Sequence, residues 1–370
     1  MGQAHVVCAF ARSEPINVMT ALRFTGLLTR SVLVIALTLV CVACQTGSHG
    51  LRQARIDKLF EKTRPVCFGR FVIDVPEHAI VVLGSQTFGG RIDSFPNDTK
   101  ALADLVSKRV AELKSTQHEE VSGSLLREVN DGPTAGSKTV IAWSSPVSTY
   151  VTLVEGYLVA MPHGFIYKGG VGSLEKRTLE DEKSELAYIA SHLRARDPKD
   201  VPAEPGVCLD VGFIADDSGK FQEIFGAGLR FPELPDVSFS VSSNKDAQQG
   251  DSFEDRRAEA RFVAFLVDPL GTLFNRIKTL REGKLKVQQG LGSEALFRRP
   301  MREGDGDGHW HEFHFEYAGK QYDHHNPPWD AALFTGVASN LAGAEPTDLT
   351  DDEALALWDR LMSSVRLRVP

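Results

Sequence analysis

The chain opens twice in the same way. "PVCFGRFVIDVP" (residues 65–76) and "GVCLDVGFIADD" (residues 206–217) each set a cysteine at the head of a strand-like apolar run. Before the second lies "RARDPKDVPAEPG" (residues 194–206), three prolines among charged residues, which is the composition of a linker. A chain written this way is constrained to two halves of like architecture, and the order of elements after each cysteine agrees. "GGRIDSF" in one half and "DVSFSVSS" in the other alternate as strands. Leu102, Leu105, Val106, Val110 and Leu113 then recur at helical spacing behind a cap at Asp98 or Thr99. The counterpart is predicted to start with Asp268 as N-cap and Pro269 at the first helical position. It carries Leu270, Leu273, Phe274 and Ile277 and stops at Gly283. On this reading 61 residues separate Cys208 from the second helix, against 32 from Cys67 to the first.

Strands return after each helix. "KTVIAWSS", "TYVTLVEGYLVAM" and "GFIYKGG" are parted by turn residues, as are "KLKVQQG" and "HWHEFHFEY" in the second half. Each half closes on another helix. The first spans about residues 178–194, with Leu186, Ile189 and Leu193 inward. The second spans 351–366, with Thr350 and Glu353 spaced as a capping box and Leu355, Trp358, Leu361, Met362 and Val365 inward. Strands clustered between helices give an α+β class: two similar domains, each an antiparallel sheet backed by two helices. A degenerate duplication explains the match, and coincidence of element order is the alternative. The expected boundaries are an N-terminal domain at 61–197, a linker at 198–206 and a C-terminal domain at 207–370.

The N-terminus is not part of either domain. From Val32 to Cys44 only Thr38 is polar, yet a bilayer-spanning helix needs about 20 apolar residues. Arg23 and Arg30 precede the run and Val42-Ala43-Cys44 ends it, the pattern of a secretory signal with cleavage before a lipidated Cys44. Cys41 stands where such signals usually carry Leu, and a start at Met19 would give a signal of ordinary length. Residues 1–43 are therefore expected to be removed, and 44–60 to act as a tether. Gln45 in place of Asp directs a lipoprotein to the outer membrane, so the expected location is the periplasm, anchored there by lipid.

Residues 1–43 carry Arg12, Arg23, Arg30 and Glu14, which leaves 38 basic and 48 acidic residues and a net charge of −10. Nucleic-acid binding rests on Lys and Arg neutralising phosphates, so no nucleic-acid partner is expected. Contact with membrane is expected through the lipid anchor only. Of five cysteines, Cys8 and Cys41 leave with the signal and Cys44 takes lipid. Cys67 and Cys208 remain in an oxidising space, either bridging the two domains or buried as free thiols.

Catalytic motifs are missing. There is no G-x-S-x-G elbow and no G-x-x-x-x-G-K-[ST] loop. "EGDGDGHWHEFHFEY" (residues 303–317) offers His309, His311 and His314 near Glu312, with His324 and His325 beyond. A zinc peptidase needs H-E-x-x-H on a helix, whereas this stretch alternates as a strand. His309 and His311 would share a face with Phe313, Phe315 and Tyr317, and could begin a metal site completed by His324 or His325. An edge strand of amphipathic residues accounts for them better. Glu303, Asp305, Asp307 and Gly308 imitate a calcium loop, but its twelfth position is His314 where Glu is required. No metal or cofactor is expected.

The segment "CFGRFVIDVPEHA" (residues 67–79), with Asp74 and Pro76 inside it, resembles the opening of a family of immunity lipoproteins that neutralise phospholipase effectors of the type VI secretion system. The likeness extends to the lipoprotein-like leader, the total length, two successive α+β domains and the second cysteine-bearing strand at 207–216. It implies a protein without catalytic residues. The implied partner is a cognate secreted phospholipase of α/β-hydrolase type, gripped by both domains and held at its lid region. By composition, the exposed-loop anchors are Trp329 in "HHNPPWD", Phe95 in "SFPND" and Trp310, with Asp305 and Asp307 as acidic contacts. Two other classes stay open: a structural or ligand-binding envelope lipoprotein, and a metal-dependent periplasmic enzyme using the His309/His311/His314 region.

Overall fold

The structure is a computed structural model that describes residues 54–174, 176–248, 250–267, 276–301 and 308–368. The signal, Cys44 and most of the tether therefore lie outside the described residues. The first half runs β1 (Thr63–Phe68), β2 (Phe71–Pro76), β3 (Ile80–Leu83), β4 (Thr87–Phe88) and β5 (Gly90–Phe95). Helix α1 (Thr99–Ser115) follows, then β6 (Leu126–Asp131), β7 (Lys138–Ser145), β8 (Ser148–Ala160) and β9 (His163–Gly172). It closes with α2 (Leu179–His192) and β10 (Leu193–Ala195). The second half runs β11 (Gly206–Cys208), β12 (Gly212–Ala215), β13 (Glu223–Phe231), β14 (Leu234–Asn244) and α3 (Phe253–Val267). Then come β15 (Lys278–Val287), β16 (Gly290–Pro300), β17 (His309–Tyr317), β18 (Trp329–Phe334), α4 (Asp351–Ser364) and β19 (Arg366–Leu367).

One antiparallel sheet crosses both halves in the order β15-β16-β17-β18-β14-β13-β4-β5-β9-β8-β7-β6, with β3 added beside β13. Read outward from the β13–β4 junction, the two arms are the same: a strand, its hairpin partner, then the four-strand meander in reverse order. α1 and α3 interrupt the chain at the same point of each arm, and α2 and α4 follow the last meander strand. The short strands after α2 and α4 are exchanged. β10 joins β12 of the second half, and β19 joins β2 of the first. The topology is thus two-fold symmetric about the β13–β4 junction, as a duplicated unit requires.

The helices divide between the faces. On β8, Val154 and Leu158 pack with Leu186 of α2, while Tyr157 packs with Leu102 of α1. Gly156 sits under Leu186, where an added Cβ would lie 2.4 Å from that side chain. In the second half Trp358 of α4 meets Phe239 and Phe313 edge-on. α3 lies across the other face, with Arg257 over the Phe297 ring. The main core, with α2 and α4, is therefore on one face, and α1 and α3 are on the other.

The caps explain where the helices begin. Asp98 accepts from Ala101 N at 2.8 Å. Thr178/Asp181 and Thr350/Glu353 both form capping boxes, each satisfying free N–H groups of a first turn. The second-half helix that the structure describes lies upstream of the stretch where apolar spacing predicts one. It occupies Phe253–Val267, 45 residues beyond Cys208, and Ser252 caps it through Asp255 N at 3.1 Å. The predicted cap Asp268, Pro269 and the apolar positions Leu270, Leu273 and Phe274 fall outside the described residues, and Gly283 belongs to β15.

Candidate functional site

The compact motif Cys67-Phe68-Gly69-Arg70 turns out to be a joint between the halves. Cys67 and Cys208 are disulfide-bonded, with Cα atoms 5.8 Å apart. They sit in β1 and β11, equivalent strands of the two arms. Gly69 and Cys208 exchange backbone hydrogen bonds at 2.9 and 2.8 Å. Gly69 has φ +50°, and a Cβ there would meet the Phe225 ring at 2.6 Å, so both conformation and space demand glycine. Arg70 forks onto Glu223 with two bonds of 2.8 Å and donates to the Asp216 carbonyl at 3.0 Å. Tyr188 of α2 donates to Asp216 Oδ1 at 2.8 Å. Asp74 takes Arg366 at 2.9 and 3.0 Å, pinning the exchanged strand β19. These residues hold the two halves together.

The anchors expected from composition behave differently from one another. Trp329 is 2% exposed and lies in β18, tilted against Phe315 and close to Phe71. It is core and not a loop anchor, because the prolines before it end the loop one residue earlier. Trp310 also stands in a strand, half-buried on β17 and packed over Gly343. Phe95 ends β5 half-buried beside the cluster of Leu102 and Ile166. Asp305 and Asp307 lie outside the described residues.

The histidines divide as strand alternation requires. His311 is fully buried; its Nε2–H donates to Asp351 Oδ1 at 3.2 Å and its Nδ1 faces Thr335 Oγ1 at 3.2 Å. Burial pushes the imidazole down to about 4, against the pull of Asp351. His309 packs edge-on against it at 5.2 Å. His309, His311 and Asp351 could offer three ligand atoms, but Asp351 already holds Lys278 at 2.9 Å and Arg298 at 3.5 Å. Those two cations would repel an ion. His314 points to the opposite face and pairs with Glu312 at 2.9 Å. His324 and His325 form a separate group elsewhere. The alternative His309/His311/His314 constellation is not assembled, and the expected edge strand is instead an interior one, since β17 lies between β16 and β18.

What the fold leaves open is a face of the sheet. On the side of α1 and α3, α1 covers β5 to β9. α3 covers β15 to β17, through ion pairs Arg256–Glu316, Arg261–Glu282 and Lys284–Glu254. Among the described residues no helix covers β3, β13, β14 and β18 on this side. The central residues here are small, Gly226 and Gly228 on β13, Ser238, Ser240 and Ser242 on β14 and Ala332 on β18, and Arg230, Asp330 and Phe334 share the same face. Beside Gly228 and Arg230, the β3 residues Val82 (60% exposed) and Ile80 (55%) stand in solvent. A Cβ at Gly228 would touch only backbone oxygens, the nearer at 3.6 Å. The result is a trough with a small-residue floor, two exposed aliphatic side chains and a helix on either bank. α3 turns Phe262, Val263, Leu266 and Val267 outward. Exposed aliphatic groups gathered in this way mark interaction surfaces. The sequence carries the signal only in hindsight, as glycine and serine alternating with large apolar residues along β13 and β14.

Residues 64–196 match the family model described as the N-terminal domain of Tle cognate immunity protein 4, and residues 200–370 match the model of its C-terminal domain. Among solved structures, the chain is similar to the immunity protein TplEi of the type VI secretion system (T6SS) from Pseudomonas aeruginosa in its apo form. There the identity is 29% and the TM-score 0.69, over 83% of this chain and 97% of that one. It is similar to a chain in the crystal structure of a Tle4–Tli4 complex, at 31% identity and TM-score 0.70, with the same coverage of 83% and 97%. TplEi complexed with an "L" peptide aligns at 28% identity and TM-score 0.65, covering 83% and 98%. No curated protein matches.

Proposed function

The chain belongs to the Tle cognate immunity protein 4 family, and on that premise we propose that it protects its producer by gripping a type VI-secreted phospholipase with both halves. Proteins of this family are immunity proteins and not enzymes, in keeping with the absence of a catalytic motif from the sequence. The partner is the cognate effector, a lipase of α/β-hydrolase type, and inhibition follows from blocking the entry of lipid substrate. The observation that carries the reading is the trough, whose floor is shared by β3 of the first half and β13, β14 and β18 of the second. A ligand seated there touches both halves, and the disulfide and Arg70 keep the halves from yielding under it. A standard-size interface needs about 800 Å² from each partner. Exported immunity proteins of this kind act in the periplasm; for this chain a lipid on Cys44, followed by Gln45, anchors it to the outer membrane. The Cys67–Cys208 bond supports an oxidising compartment.

The test titrates the purified protein into a phospholipase assay with the lipase encoded beside it. Lipase activity is expected to vanish at an equimolar ratio. A Val82→Arg, Ser240→Arg variant is expected to need at least tenfold more protein for the same loss, at an unchanged melting temperature. Full inhibition by that variant removes the trough as the binding face. Absence of inhibition by the unmutated protein removes the functional reading itself.

A further inference from the structure

We propose that Asp217, His324 and His325 form a binding site for a divalent transition ion of the zinc class. The three residues come from two separate loops. Asp217 follows β12, and the histidines lie in the turn between β17 and β18. Both imidazoles aim the same nitrogen at the same oxygen: His324 Nε2 lies 3.0 Å and His325 Nε2 3.7 Å from Asp217 Oδ1. The ligand atoms of the three residues fall within 4.8 Å of one another. Around a tetrahedral zinc with bonds of about 2.0–2.2 Å, neighbouring ligand atoms stand roughly 3.3–3.6 Å apart, and the two distances bracket that span.

The turn is built to hold this arrangement. Tyr322, at φ +65°, donates its N–H to the Lys245 carbonyl at 2.9 Å. Lys320 N bonds Asn326 O at 2.8 Å, closing the turn, and Asp323 Oδ1 accepts from His325 N at 3.0 Å. His324 is largely buried, with its Nδ1 against Gly219, where a Cβ would come within 2.5 Å. Only a residue without a side chain lets that ring reach Asp217. Among the described residues the ion pairs of Asp217 are with His324 and His325, whereas Asp351 in the His309/His311 group holds two cations. Two imidazoles and one carboxylate leave a fourth position open for water or for a group from a bound protein. An ion here would also stiffen the loop whose preceding residue, Asp216, receives Arg70 from the other half.

The experiment is calorimetric titration of ZnCl2 into the EDTA-treated protein, alongside Co2+ absorption spectra. One ion per chain is expected, with the visible bands of four-coordinate Co2+. His324→Ala and His325→Ala are expected to weaken binding at least 100-fold with near-ultraviolet circular dichroism unchanged, while His309→Ala binds as the unmutated protein does. No binding by the unmutated protein overturns the proposal. So does binding that survives both His324→Ala and His325→Ala, or that is lost in His309→Ala.

Discussion

Replacing Arg70 by Met is the sharpest test of how the two halves are joined. The Arg70 side chain is 8% exposed, and its partners Asp216 and Glu223 are 0% and 6% exposed. Methionine matches the aliphatic stem but leaves two carboxylates facing each other without a cation. Asp216 keeps the Tyr188 hydroxyl at 2.8 Å and the Ser218 N–H at 3.2 Å. The Glu223 carboxylate loses both arms of the fork. Removing one member of a buried charged pair costs about 3–5 kcal/mol, most of it the burden of the unpaired charge. With Asp216 partly supported, about 4 kcal/mol is expected here, against a total stability of about 5–15 kcal/mol for a typical domain. Urea unfolding followed by circular dichroism and by tryptophan fluorescence measures it. Trp310, Trp329 and Trp358 report the second half and only Trp143 the first. The two signals are expected to coincide in the native chain and to separate in Arg70→Met. A triple variant, Arg70→Met with Asp216→Asn and Glu223→Gln, removes the stranded charges and is expected to recover more than half of the loss. A cost below about 1 kcal/mol, or a triple variant no more stable than the single one, refutes the assignment of the energy to unpaired charge.

Reduction of Cys67–Cys208 opens a loop spanning 141 residues. Loop-closure entropy sets an upper bound of about 5 kcal/mol for it, and melting with and without dithiothreitol is expected to read about 2–5 kcal/mol. Gly69→Ala places a Cβ 2.6 Å from the Phe225 ring at φ +50° and is expected to cost about 2–5 kcal/mol. Gly228→Ala, with only backbone oxygen at 3.6 Å, is expected to change stability by less than about 1 kcal/mol in the same denaturation assay. His311 titrates at about 4 when folded and near 6.5 when unfolded, so the unfolded chain takes up a proton that the folded chain refuses. The associated stability is complete above pH 6.5 and is lost as pH falls toward 4. By pH 5 the loss is about 2 kcal/mol, and His311→Gln is expected to flatten that part of the stability–pH curve.

Local chemistry made much of this fold legible before any coordinates. The spacing from Leu102 to Leu113 and the Thr350/Glu353 pair each specify a helix through contacts within one or two turns, and both helices are present. β7 and β17 span the runs "KTVIAWSS" and "HWHEFHFEY", because alternation alone separates a buried from a solvated face. The described second-half helix α3 was not legible in the same way. Its outward apolar residues Phe262, Val263, Leu266 and Val267 break the expected inward pattern. Trp329 was misplaced because burial of a side chain after two prolines depends on Phe315 and Phe71, neither of them local.

By itself the sequence determined the class, the repeated order of elements and the lack of a catalytic motif, since all three follow from near-neighbour spacing and residue type. Only the tertiary structure decided how the halves combine. The pairing of β19 with β2, the junction of β4 with β13 and the fork of Arg70 onto Glu223 join residues more than a hundred positions apart, and β10 crosses the linker to β12. Such pairings depend on which surfaces remain unburied once each half has formed. The same holds for the open trough: no residue in it is unusual, and it exists because two helices cover the sheet on either side and leave the middle bare.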